Sequence, residues 1–137
     1  MSNRHRAREQ ALQILYQADV AGKGAEAALE LFTKNFEHHG EDLEFVSELV
    51  KGVIDNRDTI DGRIEKHAHN WKLHRISPID RNLLRLAIFE MTIQKTVAAP
   101  IIINEAVQIA KRFGQNETPG FVNGILDAVQ RDLEVKS

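Results

Sequence analysis

The segment Ser77-Pro78-Ile79-Asp80 and the apolar run behind it constrain this chain more than any other feature. Serine is placed to cap a helix, and proline suits the first helical position, where its missing N–H would have no partner anyway. The aspartate carboxylate meets the positive end of the helix dipole. The helix opened in this way, running to about Gln94, carries Leu83, Leu84, Leu86, Ala87, Ile88, Phe89, Met91 and Ile93. Those residues occupy most of its circumference, so other elements must surround it. Arg85 and Glu90 interrupt the run, and a charge there calls for a partner across a helix interface. A patch of Asp80, Arg81 and Arg85 facing another protein is the second reading.

Elsewhere apolar residues recur at helical spacing, with no convincing strand alternation. A first helix is expected from about Arg4 to Ala21, with Ala7, Ala11, Ile14, Leu15 and Ala18 inward and Gly22 and Gly24 ending it. A second spans about Ala25 to Phe36. Beyond a His38-His39-Gly40 loop, Asp42 suits the N-cap of a third helix. Asn56 to Asp58 breaks or kinks the chain before Ile60, Ile64, His67 and Trp71 continue the stripe. Pro100 demands a further break, since it biases Ala99 away from helical geometry. The next helix turns Ile103, Ala106, Val107, Ala110 and Phe113 inward and stops at Gly114. Thr118-Pro119 repeats the cap-plus-proline start of a last helix lined by Val122, Ile125, Leu126, Val129 and Leu133. Trp71 and Phe113 read as core. The sum is an all-α fold of about seven helices, in a single domain over residues 1–137. A chain of that length buries roughly two-thirds of its extended surface without a disulfide or metal staple.

Absent motifs narrow the chemistry. The chain has no cysteine, which removes thiolate nucleophiles, disulfides and cysteine-bound zinc together. It shows no phosphate loop, no nucleophile elbow and no zinc-protease histidine pair. His67 and His69 point to different sides of a helix, and the remaining histidines are scattered. No catalysis, cofactor or metal is expected. Arg4-His5-Arg6-Ala7-Arg8 leads into Glu9 and Gln10 rather than an apolar run, and no stretch approaches the length of a membrane span. A cytoplasmic protein is expected.

The net charge of −2 is unevenly spread. Residues 1–10 hold three arginines against one glutamate, whereas the remainder holds 15 basic against 19 acidic residues. Cations in the first turn of a helix oppose its dipole, so Arg4, Arg6 and Arg8, with His5 among them, read as an anion-binding or RNA-binding end or else as a solvated terminus. Glu9, Gln10, Gln13 and Gln17 continue a polar face, with Tyr16 beside the buried one. Phe121, at the shoulder of the last helix, is either a stacking platform for an unpaired base or a lid on the core.

Several segments, in order along the whole chain, resemble the NusB family. They are Arg6-Ala-Arg-Glu-Gln-Ala-Leu-Gln-Ile-Leu-Tyr16, Phe45-Val-Ser-Glu-Leu-Val-Lys-Gly-Val53 and Ile60-Asp61 leading to Trp71. Then come Asp80-Arg-Asn-Leu-Leu-Arg-Leu-Ala-Ile-Phe-Glu90, Ile103-Asn-Glu-Ala-Val-Gln-Ile-Ala-Lys111, Phe113-Gly114 and Phe121-Val-Asn-Gly-Ile-Leu-Asp127. The resemblance implies two three-helix bundles packed across each other. It further implies binding of boxA, a single-stranded RNA element, jointly with the ribosomal protein NusE, in complexes with RNA polymerase that serve antitermination and ribosomal RNA synthesis. By motif position Arg4, His5, Arg6 and Arg8 would face RNA, with Phe121 near its path and Glu117 near its phosphates. Tyr16 and Asp80 would face the protein partner. Members can carry a denser N-terminal arginine run than this chain does.

Three rivals make different predictions. The RNA-recognition part of ribosomal RNA cytosine methyltransferases predicts a second, cofactor-binding domain, which is not expected within these 137 residues. A purely structural helical adaptor, with a homodimer as one form, would not need the arginines. An unsuspected hydrolase or transferase would need a deep polar pocket of convergent carboxylates or histidines.

Overall fold

The computed structural model describes residues 3–35, 41–69 and 71–135. Seven α-helices account for most of them: α1 (Asn3–Ala21), α2 (Ala25–Asn35), α3 (Glu41–Asp55), α4 (Arg57–His67), α5 (Pro78–Phe89), α6 (Ala99–Phe113) and α7 (Thr118–Val135). No strand occurs among the described residues. Phe36 and the His38-His39-Gly40 loop lie outside them, as does the side chain of Asp42. Helix α3 begins at Glu41, which puts Asp42 inside the helix instead of at its cap.

Helix α5 forms as its opening residues dictate. The Asp80 N–H donates to the Ser77 hydroxyl at 3.3 Å, with Pro78 in the first turn. All residues from Asn82 to Met91 are buried. At Glu90 the helix widens into a π turn through Gln94, where the Lys95 N–H donates to the Glu90 carbonyl at 2.9 Å. Lys95 then adopts a left-handed conformation (φ 55°), which stops the helix.

The other helices surround this one. Helices α1, α2 and α3 pack on one another; α6 and α7 pack with α5 in a second group that α4 joins, while α1 and α3 also lie against α5. One continuous core results, including Leu12, Leu49, Ile60, Leu84, Ile88, Ile109 and Leu126. Gly52 lets α3 approach α5 closely, because a β-carbon there would meet the ring of Phe89.

Three local expectations shift. Helix α6 begins at Ala99 behind an extended Ala98 (φ −60°, ψ 139°), so the break falls one residue early. A proline in the first turn removes no helical hydrogen bond, and Ala99 can be helical. Glu117 stands at the N-cap position of helix α7, its carbonyl accepting the first helical bond from the Phe121 N–H at 3.1 Å, which leaves Thr118 in the first turn. Helix α4 stops at His67, whose Nε2 lies 2.7 Å from Asp132 Oδ2 on α7. Trp71 therefore falls in the turn before a short 3-10 segment, Leu73–Arg75, and is 53% exposed instead of core. Phe113 packs against the core as a half-buried ring.

Candidate nucleic-acid interface

The start of α1 is held from below by carboxylates. Arg8 is buried; its Nε donates to Glu90 Oε1 at 2.8 Å and its Nη2 to Glu90 Oε2 at 3.0 Å. Its Nη1 donates to Glu105 Oε1 on α6 at 2.8 Å. Burial opposes the charge, but the bonds to Glu90 and Glu105 outweigh it and hold the guanidinium above its ordinary pKa. Arg8 thus departs from the RNA-facing set expected of it, since its donors are turned into the protein. Glu9, expected on a polar face, is buried too and accepts from Arg112 of α6 at 2.9 Å. His5 is half-buried between Glu105 (3.1 Å) and Glu9 (3.4 Å).

Arg4 and Arg6 remain on the surface. The Arg4 guanidinium lies 3.9 Å from the centroid of the Phe45 ring on α3, within cation–π range. That contact ties the tip of α1 to the first bundle, as Arg8 ties it to the second.

At the opposite end of α5 the chain forms an open groove of about 490 Å³. Trp71 and Phe121 supply its aromatic surface, and Asp80, Glu117, Arg75 and Gln115 its polar one. Phe121 packs on the core and also lines the groove. The Thr118 hydroxyl donates to Asp80 Oδ1 at 2.9 Å and accepts from the Gln115 N–H at 3.0 Å, fixing one carboxylate in the wall. Asp80 is thereby brought together with Glu117 and Phe121, whereas Tyr16 sits half-buried on α1. Asp80 and Glu90 are separated by about 15 Å of helix rise, so the basic tip and the groove are distinct features joined by α5.

A second ionic network clamps α1 to α5. Asp19 accepts from Arg81 at 2.7 and 2.8 Å and from Asn82 at 2.9 Å. The Arg81 bonds foremost hold its carboxyl down at about 2. Arg85, interrupting the apolar run, donates to Asp61 of α4 at 2.8 Å. Among the described residues no group of three or more potential ligands could hold a metal, and no helix is long and apolar enough to cross a membrane.

Two packed helical bundles define a class of small all-helical protein, here with two exposed arginines at the tip of its first helix. The pattern of the NusB family matches residues 5–131. The chain is 46% identical over 133 residues to the transcription antitermination protein NusB of Desulfatibacillum aliphaticivorans, covering 97% of this chain and 93% of that one. Among solved structures, T. maritima NusB superposes with a TM-score of 0.85 at 32% identity, covering 93% of this chain and 90% of that one. A structure of the antitermination factors NusB and NusE in complex with dsRNA matches with a TM-score of 0.85 at 27% identity, covering 96% and 98%. The chain belongs to the NusB family.

Proposed function

We propose that this chain is a transcription antitermination factor that binds boxA-type single-stranded RNA together with NusE and supports ribosomal RNA transcription without catalysing a reaction. The observation that carries the reading is the basic tip of α1: Arg4 and Arg6 on the surface, above a buried Arg8 that anchors the helix. In this role Arg4, Arg6 and His5 meet phosphates, and Arg8 orients them. Phe121 lies beside the RNA path, and Glu117 weakens binding by repelling phosphate. Tyr16 and Asp80 face the protein partner, and Asp80 lines the same groove as Phe121, which supports a partner bound close to the RNA. The whole chain acts as one unit within a cytoplasmic complex on RNA polymerase.

The test is binding of a labelled boxA-like RNA at several salt concentrations, with and without NusE. Weak binding alone, strengthened by NusE and weakened by salt, is the expected result. Arg4→Ala with Arg6→Ala reduces affinity while the fold stays intact. Folded protein that binds no RNA in either setting would instead favour the helical-adaptor reading.

A further inference from the structure

A second cavity, of about 250 Å³, opens between the turn that joins α1 to α2, the end of α3 and the first turns of α5. Leu15, Ala18, Val53 and Ile54 give it apolar walls, and Lys23, Arg57, Arg85 and Asp19 give it charge. Three cations thus meet one carboxylate, in a chain whose net charge is −2. That carboxylate is already matched: Asp19 accepts two bonds from Arg81, which stands outside the lining, and others from Asn82 and Arg85. Arg85 is 3% exposed and turns its Nε and Nη2 to Asp61 at 2.8 and 3.2 Å. Lys23 and Arg57 are the surplus. Lys23 is exposed and has no ionic partner among the described residues, and Arg57 commits only its Nε, to Asp61 at 3.1 Å. Gly22 and Gly24 flank Lys23, and no atom of the described residues stands within 4 Å of where a β-carbon on either would be, so the turn leaves the mouth open.

A cleft with low-dielectric walls and surplus charge of one sign concentrates a counter-ion. Two uncommitted cations match a dianion. A carboxylate carries a single charge, whereas a phosphate monoester carries nearly two at neutral pH, with oxygens that accept charge-assisted bonds from ammonium and guanidinium groups. We propose that this cavity binds a phosphate dianion, free or as a small monoester, with the phosphate between Lys23 and Arg57 and any ester body against Leu15 and Val53. The site does not depend on the RNA-binding reading. About 22 Å of helix rise separate Arg4 from Asp19, and no residue of the lining belongs to the aromatic groove. A bound anion would tie the α1–α2 turn to the start of α4, and it would stabilise the folded chain because only that state holds the two cations together.

The experiment titrates the full chain, labelled with nitrogen-15, with inorganic phosphate, glycerol 3-phosphate and propionate at physiological ionic strength. The backbone amides of Gly22 and Gly24 and the side-chain amide of Asn82 report the cavity. Both phosphates are expected to move these resonances saturably, with a Kd below about 1 mM, and propionate to bind at least tenfold more weakly. Tighter binding of glycerol 3-phosphate would identify the ligand as an ester whose body meets the apolar wall, and equal binding would identify it as free phosphate. Lys23→Ala and Arg57→Ala each weaken binding by roughly tenfold, as loss of one charged hydrogen bond does, and Lys23→Arg retains most of it. Both alanine proteins should stay folded, since Lys23 is exposed and Asp61 keeps Arg85; circular dichroism checks this. Resonances that do not saturate, propionate binding as tightly as phosphate, or alanine variants with unchanged affinity would overturn the site. Loss of RNA affinity in Lys23→Ala would give the cations to the RNA and overturn it as well.

Discussion

Arg8→Ala separates a structural arginine from an RNA-contacting one. The wild-type side chain is 9% exposed and makes a two-pronged pair with Glu90, whose side chain is 2% exposed. Such paired geometry is the strong form of a charge-assisted hydrogen bond. Removing the arginine leaves the Glu90 carboxylate buried and unpaired, and breaking a buried pair in this way costs about 3–5 kcal/mol. Against a total stability of roughly 5–15 kcal/mol, that loss would lower the melting temperature by about 10–20 °C. Arg6→Ala, at an exposed position, changes stability by no more than about 0.5 kcal/mol. Replacing both members of the pair, Arg8→Met with Glu90→Leu, restores most of the loss, because neither charge then needs a partner.

Urea and thermal unfolding followed by circular dichroism measure the first effect, and the salt dependence of RNA binding measures the second. Each phosphate contact on single-stranded RNA adds about 0.7 to the slope of log affinity against log salt. Arg6→Ala flattens the slope by about that amount, whereas Arg8→Ala, measured where it is folded, leaves it unchanged. A stable Arg8→Ala protein with a flatter slope would refute the reasoning and return Arg8 to the RNA surface.

Gly52→Ala forces a methyl group against the Phe89 ring. The overpacking costs about 1–3 kcal/mol and the better helix propensity of alanine returns up to about 1 kcal/mol, so the urea midpoint falls; an unchanged midpoint would contradict the close approach of α3 and α5. The Asp19 carboxyl sits at about 2 against an ordinary 3.8, so its contribution is fully present above the ordinary value and lost as pH falls toward 2. Asp19→Asn therefore costs about 2 kcal/mol near neutrality, and its unfolding free energy varies less between pH 4 and 2 than that of the wild type, which acid titration of both proteins checks. Glu117→Gln tightens RNA binding a few-fold by removing a repelling charge; equal or weaker affinity in a filter-binding assay would move Glu117 away from the phosphates.

Helix α5 was legible in the sequence because its cap, proline and acid each act within a few residues of chain, and its all-round apolar surface admits only a central place. The same reasoning required partners for Arg85 and Glu90. It had no means of naming them, because Asp61 lies 24 residues and Arg8 82 residues from its partner along the chain. Trp71 was misread for a local reason: extending the α4 stripe by one turn makes it core, yet α4 stops at His67, where the tie to Asp132 of α7 intervenes. The basic cluster was visible as composition, but helical spacing does not sort it: Arg4 and Arg8, four residues apart, share a face, and both lie over the Phe45 ring. Arg4 and Arg6 are exposed and Arg8 is buried, and only the packing of α1 against α5 and its ion pairs to α6 sort them. The groove could not be read at all, since it joins the turn after α4 to the starts of α5 and α7.

The sorting of those arginines bears on why such a protein would need a partner. Three arginines on single-stranded RNA imply a salt slope of roughly −2, and withdrawal of Arg8 leaves Arg4 and Arg6 with about −1.4. So small an electrostatic contribution binds RNA weakly on its own. What the tip lacks in charge it has in order: Arg4 is held over Phe45, His5 lies between two carboxylates, and Arg8 joins α1 to both α5 and α6. A preordered contact loses less conformational entropy on binding. The acids Glu9, Glu90 and Glu105 beneath the arginines therefore serve the site, even though they lower its net charge. A second protein on the same RNA adds its contacts at high effective concentration, so RNA affinity would rise steeply when both are present and fall to a weak, salt-sensitive remainder when either is missing.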